Sequence, residues 1–185
     1  MSAGYRVRLF GLYDMLIKKS WGGGLMFESF RHANIEQLVA FSDGSFREGL
    51  YVYAFTLKVK MGSYLAPLIR SAGECTIFFG HNNVSCELEA CYRAIQTAQT
   101  LGAKFVTLYT DFLGCIKFLT GECCIRHEQF SMYVKLMSEL SIPFTIQHVP
   151  GHSGIQGNDE VDRLANREVD RILAKSKKGT VIIQI

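Results

Sequence analysis

The stretch Leu38 to Phe46 reads LVAFSDGSF. Apolar residues run into Ser42, and an aspartate, a glycine and a second serine follow at once. A short apolar run bounded by glycine reads as a buried strand, here Leu38 to Ser42. A buried strand that delivers the carboxylate of Asp43 at its end, and then a residue with no side chain, needs a chemical reason.

The elements that follow come in regular order. Leu50 to Met61 (LYVYAFTLKVKM) is rich in aromatic and branched residues and reads as a second strand. Glu74 to Phe79 (ECTIFF) reads as a third. In Ser85 to Leu101, Cys91, Ala94, Ala98 and Leu101 recur at helical spacing. Lys104 to Tyr109 is a fourth strand and Phe112 to Leu119 a short helix. Glu128 to Leu140 is a helix with Phe130, Tyr133, Val134, Met137 and Leu140 on one face. Ile142 to Val149 is a fifth strand. Asn158 to Ala174 is the last helix, with Asn158 as its cap and Asp159 and Glu160 in its first turn. Three strands in succession form an antiparallel meander, and helix-linked strands join it in parallel. The fold class is α/β, a five-stranded mixed sheet flanked by helices.

Residues 38–174 form this one domain. Residues 1–37 are an extension with no recognised domain, broken by Gly22, Gly23 and Gly24. Its basic residues leave a targeting segment open as a reading. Residues 175–185 are a basic tail ending in a strand-like hexamer, solvated or in contact with a partner. The 185 residues are 48% hydrophobic, enough for one normal core, and a net charge of +3 permits a nucleic-acid partner without demanding one. The six cysteines include no C-x-x-C pair, so they suggest reduced thiols rather than a zinc site. With no secretory pattern and no apolar run of membrane-spanning length, the expectation is an intracellular protein off the membrane; nucleus, cytoplasm and mitochondrion fit equally.

Strand alternation puts Val39, Phe41 and Asp43 on one face. Phe105, Thr107, Tyr109 and Asp111 share a face in the same way. Glu87 lies in the first turn of its helix, on the face of Cys91, Ala94 and Ala98; Asp162 shares a face with Ala165, Val169 and Ile172. Any one of these acids is commonly an edge residue or a cap partner. Four at core-facing positions repel one another and lose hydration, which cations offset. A set of oxygen donors suits Mg²⁺ or Mn²⁺. On this reading Gly44 leaves room for a phosphate backbone.

SDGS at 42–45, CELEA at 86–90, YTD at 109–111 and PGHSGIQGNDEVDRLA at 150–165 resemble the ribonuclease H fold, most closely the type 1 ribonuclease H group. The last motif is the most specific, because a histidine loop leads into a helix bearing an aspartate ten residues later. The resemblance spans Leu38 to Ala174. It implies a monomeric endonuclease that cuts the RNA strand of RNA/DNA hybrids with two Mg²⁺ ions, Mn²⁺ substituting, and leaves 5′-phosphate and 3′-hydroxyl ends. Carried over by position, Asp43 bridges both metals, Glu87 and Asp111 complete one ligand set, and Asp162 serves the other. His152 assists proton transfer or product release, and Gly44, Ser45 and Asn83 contact the substrate.

The chain departs from that pattern in one direction. Gly80 and Asn82 stand where type 1 enzymes tend to grip a DNA phosphate with arginine and threonine. Val84 replaces a common glutamine, and Phe112 a common serine. The basic protrusion of many cellular members is reduced to LTGECCIRHEQF. These differences imply weak hybrid affinity, with compensation from the N-terminal segment, the tail or a protein partner. The competing reading is a catalytically silent nucleic-acid-binding or scaffold module of the same fold. Proofreading exonucleases fit poorly, because Asp43 is not followed by the D-x-E glutamate.

Overall fold

The computed structural model describes residues 35–123 and 127–179. Residues 1–34 of the N-terminal extension and 180–185 of the tail lie outside these residues. In chain order the elements are β1 (Leu38–Arg47), β2 (Leu50–Met61), β3 (Tyr64–Glu74), α1 (Asn83–Thr100), β4 (Val106–Thr110), α2 (Gly114–Thr120), α3 (Glu128–Ser138), β5 (Phe144–His148) and α4 (Gln156–Gly179). The five strands lie in the order β3-β2-β1-β4-β5. β1, β2 and β3 form the antiparallel meander; β4 joins β1, and β5 joins β4, in parallel.

Alternation along β1 divides the core. Val39 and Phe41 face α4, where Ala54, Val161 and Ala165 complete a buried cluster. Further along the helix, Val169 and Ile172 pack on Val52. Gly157 lets α4 begin directly over Phe41: a Cβ there would lie 2.3 Å from the ring. On the opposite face Ser42 meets Cys91 of α1, with Oγ and Sγ 3.2 Å apart. Cys91, Ala94 and Ala98 are fully buried in α1, as the helical spacing predicts, and Ile95 is buried with them.

Three expectations change. The third strand is Tyr64–Glu74, not Glu74–Phe79. The segment after it leaves the ladder because the buried carboxylate of Glu89 takes over its amides. Thr76, Ile77 and Phe78 all donate to Glu89, at 2.9–3.1 Å, and Arg93 neutralises the charge at 2.7 Å. Second, β1 does not end at Ser42 but runs on to Arg47, paired with β2 throughout. Asp43 therefore sits within a strand, at the point where β4 stops. Third, Asn158 does not cap α4. The helix begins at Gln156, and the Asn158 amide is used elsewhere.

Candidate active site

The parallel register decides where two of the acids meet. Ser42 pairs with Thr110, the last residue of β4. Asp43 and Asp111 are the next residues on neighbouring strands. One step earlier Phe41 and Tyr109 stack at 5.2 Å between ring centroids. By alternation, Asp43 and Asp111 follow on that same face.

Glu87 arrives from α1, in its second turn rather than its first, because the helix begins at Asn83 and not at Ser85. Its approach depends on Gly44: a Cβ there would lie 2.5 Å from the Cys86 carbonyl carbon, the Cys86 Cβ and the Glu87 nitrogen. The glycine thus seats α1 against β1, a packing reason that the local sequence does not disclose. One ligand oxygen from each of Asp43, Glu87 and Asp111 lies within 4.8 Å of the others. Asp162 stands outside this tight group, on the second turn of α4, although its charge acts on Asp43.

Electrostatics mark the group as one built to hold positive charge. Burial pushes the Asp43 carboxyl up to about 6; the charges of Asp111 and Asp162 push the same way, against hydrogen bonds with Glu87 and the Gly44 backbone. Burial, and next the charge of Asp43, raise Glu87 well above the usual carboxylate range. Glu87 Oε2 is buried without a hydrogen-bond partner. A buried orphan oxygen carries a desolvation penalty that a cation would remove. The donor set is all oxygen, as hard divalent cations require. The residues present therefore fit Mg²⁺ or Mn²⁺.

Several supporting residues escaped sequence reasoning. Asn158 Nδ2 donates to Asp111 Oδ2 at 3.2 Å. A Cβ on Gly151 would come 3.0 Å from the same oxygen, so the PGHSG loop lies against Asp111. His148, on β5, has Nε2 3.1 Å from the Asp111 carbonyl oxygen. Asn166 Nδ2 donates to Asp162 Oδ1 at 2.9 Å. Its spacing of four from Asp162 on a helix was the available signal.

His152 is exposed on the β5–α4 loop with a left-handed backbone, φ 50°. Asn83 opens α1, and its Oδ1 accepts the Phe46 amide at 2.7 Å, which fixes it beside β1. The Ser45 hydroxyl donates to Asn166 Oδ1 at 3.4 Å.

Comparison with known proteins agrees with this arrangement. The RNase H family model matches residues 35–170. Human ribonuclease H1 is 34% identical over 98 residues, covering 45% of this chain and 34% of its own length. Mouse ribonuclease H1 is 32% identical over the same length and coverage. The matched stretch thus spans about a third of these curated relatives. Among solved structures, RNase H1 from Halobacterium salinarum NRC-1 superposes with TM-score 0.60 at 21% identity, covering 73% of this chain and 98% of that one. LC11-RNase H1, solved in complex with an RNA/DNA hybrid, gives 0.59 at 20% identity, covering 74% and 99%. At these identities the structures speak for the fold. The family model covers most of the chain and all four acids lie inside it: the chain belongs to the RNase H family.

Proposed function

We propose that this protein is an endonuclease that hydrolyses the RNA strand of RNA/DNA hybrids, using two divalent cations and leaving 5′-phosphate and 3′-hydroxyl ends. The observation that carries the reading is the convergence of Asp43, Glu87 and Asp111 around the unpartnered Glu87 Oε2. A domain with only a scaffolding role gains nothing from a buried set of mutually repelling acids. LC11-RNase H1, solved with a hybrid, has the same fold and supports the substrate class.

Asp43, Glu87 and Asp111 would hold one cation, and Asp43 with Asp162 the other. When bound, such cations lower the pKa of an attacking water and offset the charge on the leaving 3′ oxygen. The chain's own part is positioning. Asn158 and Gly151 fix the Asp111 carboxylate, and Gly44 sets the depth of Glu87. His152, on its exposed loop, would exchange protons with solvent during water attack or product release.

Asn83, bound to the Phe46 amide, and Ser45, bound to Asn166, would offer polar groups to 2′-hydroxyls, the feature that separates RNA from DNA in a shallow minor groove. Backbone groups near Gly44 would join them. Such contacts carry little base information, so cleavage is expected with slight sequence preference. The working form is taken to be an intracellular monomer.

The end chemistry tests the mechanism. Products of a labelled hybrid should resist 5′ phosphorylation by a kinase until treated with phosphatase. Products with free 5′-hydroxyls would point instead to attack by the RNA's own 2′-hydroxyl and would sink the two-cation reading.

A further inference from the structure

Asp162 is the acid that stands apart, and its carboxylate is clamped. Asn166, one turn further along α4, donates Nδ2 to Asp162 Oδ1 at 2.9 Å and to the Asp162 carbonyl at 3.0 Å. Its Oδ1 accepts the hydroxyl of Ser45 at 3.4 Å. The amide's orientation is fixed by chemistry: turned over, Oδ1 would face two oxygens that only accept. Ser45 and Asp43 leave β1 on the same face, two residues apart. The clamp therefore joins the helix of one acid to the strand of another. Among the described residues, Asp162 Oδ2 accepts no hydrogen bond.

We propose that Asn166 is a positioning residue: it holds Asp162 Oδ1 back along α4, leaves Oδ2 for a divalent cation, and so sets the affinity for the ion that Asp162 ligates. The inference rests on the two-cation reading of this site. An outer partner that orients a ligand changes metal affinity by roughly 10–100-fold when removed. Ser45 acts through the same amide, which gives its hydroxyl a role apart from substrate contact.

The test is a Mn²⁺ titration followed by electron paramagnetic resonance, on wild type, Asn166→Ala, Asp162→Asn and the double variant. The half-saturating Mg²⁺ for hybrid cleavage is measured beside it. Asn166→Ala should weaken one Mn²⁺ site by about tenfold and raise the half-saturating Mg²⁺ correspondingly, with the KM for hybrid unchanged. In the Asp162→Asn background the same change should have no further effect, since the residue acts through Asp162. Ser45→Ala should shift Mn²⁺ affinity in the same direction by less, and it covers the case in which Asn166→Ala does not fold. Wild-type affinity in both Asn166→Ala and Ser45→Ala, or an equal loss with Asp162 already removed, would overturn the proposal. A wild-type protein that binds no Mn²⁺ and cuts no hybrid would overturn the site reading first, and the role of Asn166 with it.

Discussion

Gly44 on β1 and Cys86 on α1 approach so closely that no side chain fits between them; a Cβ on the glycine would meet Cys86 at 2.5 Å. The contact is between backbone and the stem of a helix residue, so neither partner yields cheaply. Gly44→Ala should displace α1 and carry Glu87 away from Asp43. Overpacking of this kind costs about 1–3 kcal/mol. A displacement near 1 Å at a catalytic group lowers turnover by about 100-fold. Urea denaturation and hybrid cleavage on the same preparation measure both. Wild-type turnover in Gly44→Ala would show that the spacing of Glu87 is not critical.

Repulsion in the acid group should appear in the pH dependence of the metal-free protein. The folded-state Asp43 carboxyl sits at about 6, above its ordinary 3.8, so the fold holds this proton more tightly than the unfolded chain does. The stability contributed is fully present below about pH 4 and is lost as pH rises through about 6, on the order of 3 kcal/mol. Glu87 is raised in the same direction. With a chelator present, stability should fall as pH rises from about 4 to about 6, and excess Mg²⁺ should remove the fall. Asp43→Asn should flatten the profile and be the more stable protein at neutral pH. A chelated wild type that gains stability over this range would contradict the assignment.

The four acids were legible in the sequence because each is held by a local rule: strand alternation for Asp43 and Asp111, helical spacing for Glu87 and Asp162. Gly44 was read as room for a phosphate backbone and as a substrate contact, not as the packing contact with α1. Its partner lies 42 residues away, and no local pattern predicts the approach of α1. The third strand was misplaced because ECTIFF has the composition of a strand while YLAPLIRSAGE does not. β3 is an edge strand, where Pro67 is tolerated and alternation is weak, and its register slips between Leu57 and Lys58 of β2, opposite that proline. Asn158 was read as a cap from its place before acidic residues; its amide instead serves Asp111, a contact set by tertiary structure.

Glu89 illustrates the difference between a structural and a functional buried acid. It is fully buried, yet satisfied by three consecutive backbone amides and Arg93. Glu89→Ala would leave those donors and a guanidinium without their partner, at a cost of roughly 3–5 kcal/mol. Molecules that still fold should keep near-normal turnover, because the carboxylate faces the Thr76–Phe78 segment and not the other acids. Denaturation midpoints and active-site titration separate the two effects. A stable Glu89→Ala protein that is inactive would move Glu89 into the catalytic group.

Neutral residues, Gly80, Asn82 and Asn83, surround the start of α1, and few phosphate contacts are expected there. The logarithm of hybrid affinity should fall with the logarithm of salt at a slope of about −3 or shallower, the signature of three or four released counterions. Affinity measured from 50 to 300 mM salt checks this. A slope steeper than about −6 would reveal phosphate contacts beyond those at the start of α1.

The most direct test of the central claim is cleavage of a labelled RNA/DNA hybrid at low salt in Mg²⁺, with duplex RNA, duplex DNA and the Asp43→Asn protein in parallel. The account predicts internal cuts in the RNA strand of the hybrid alone, and none from Asp43→Asn despite retained fold and hybrid binding. Equal cleavage by wild type and Asp43→Asn, or hybrid binding by wild type without any cleavage, would contradict it.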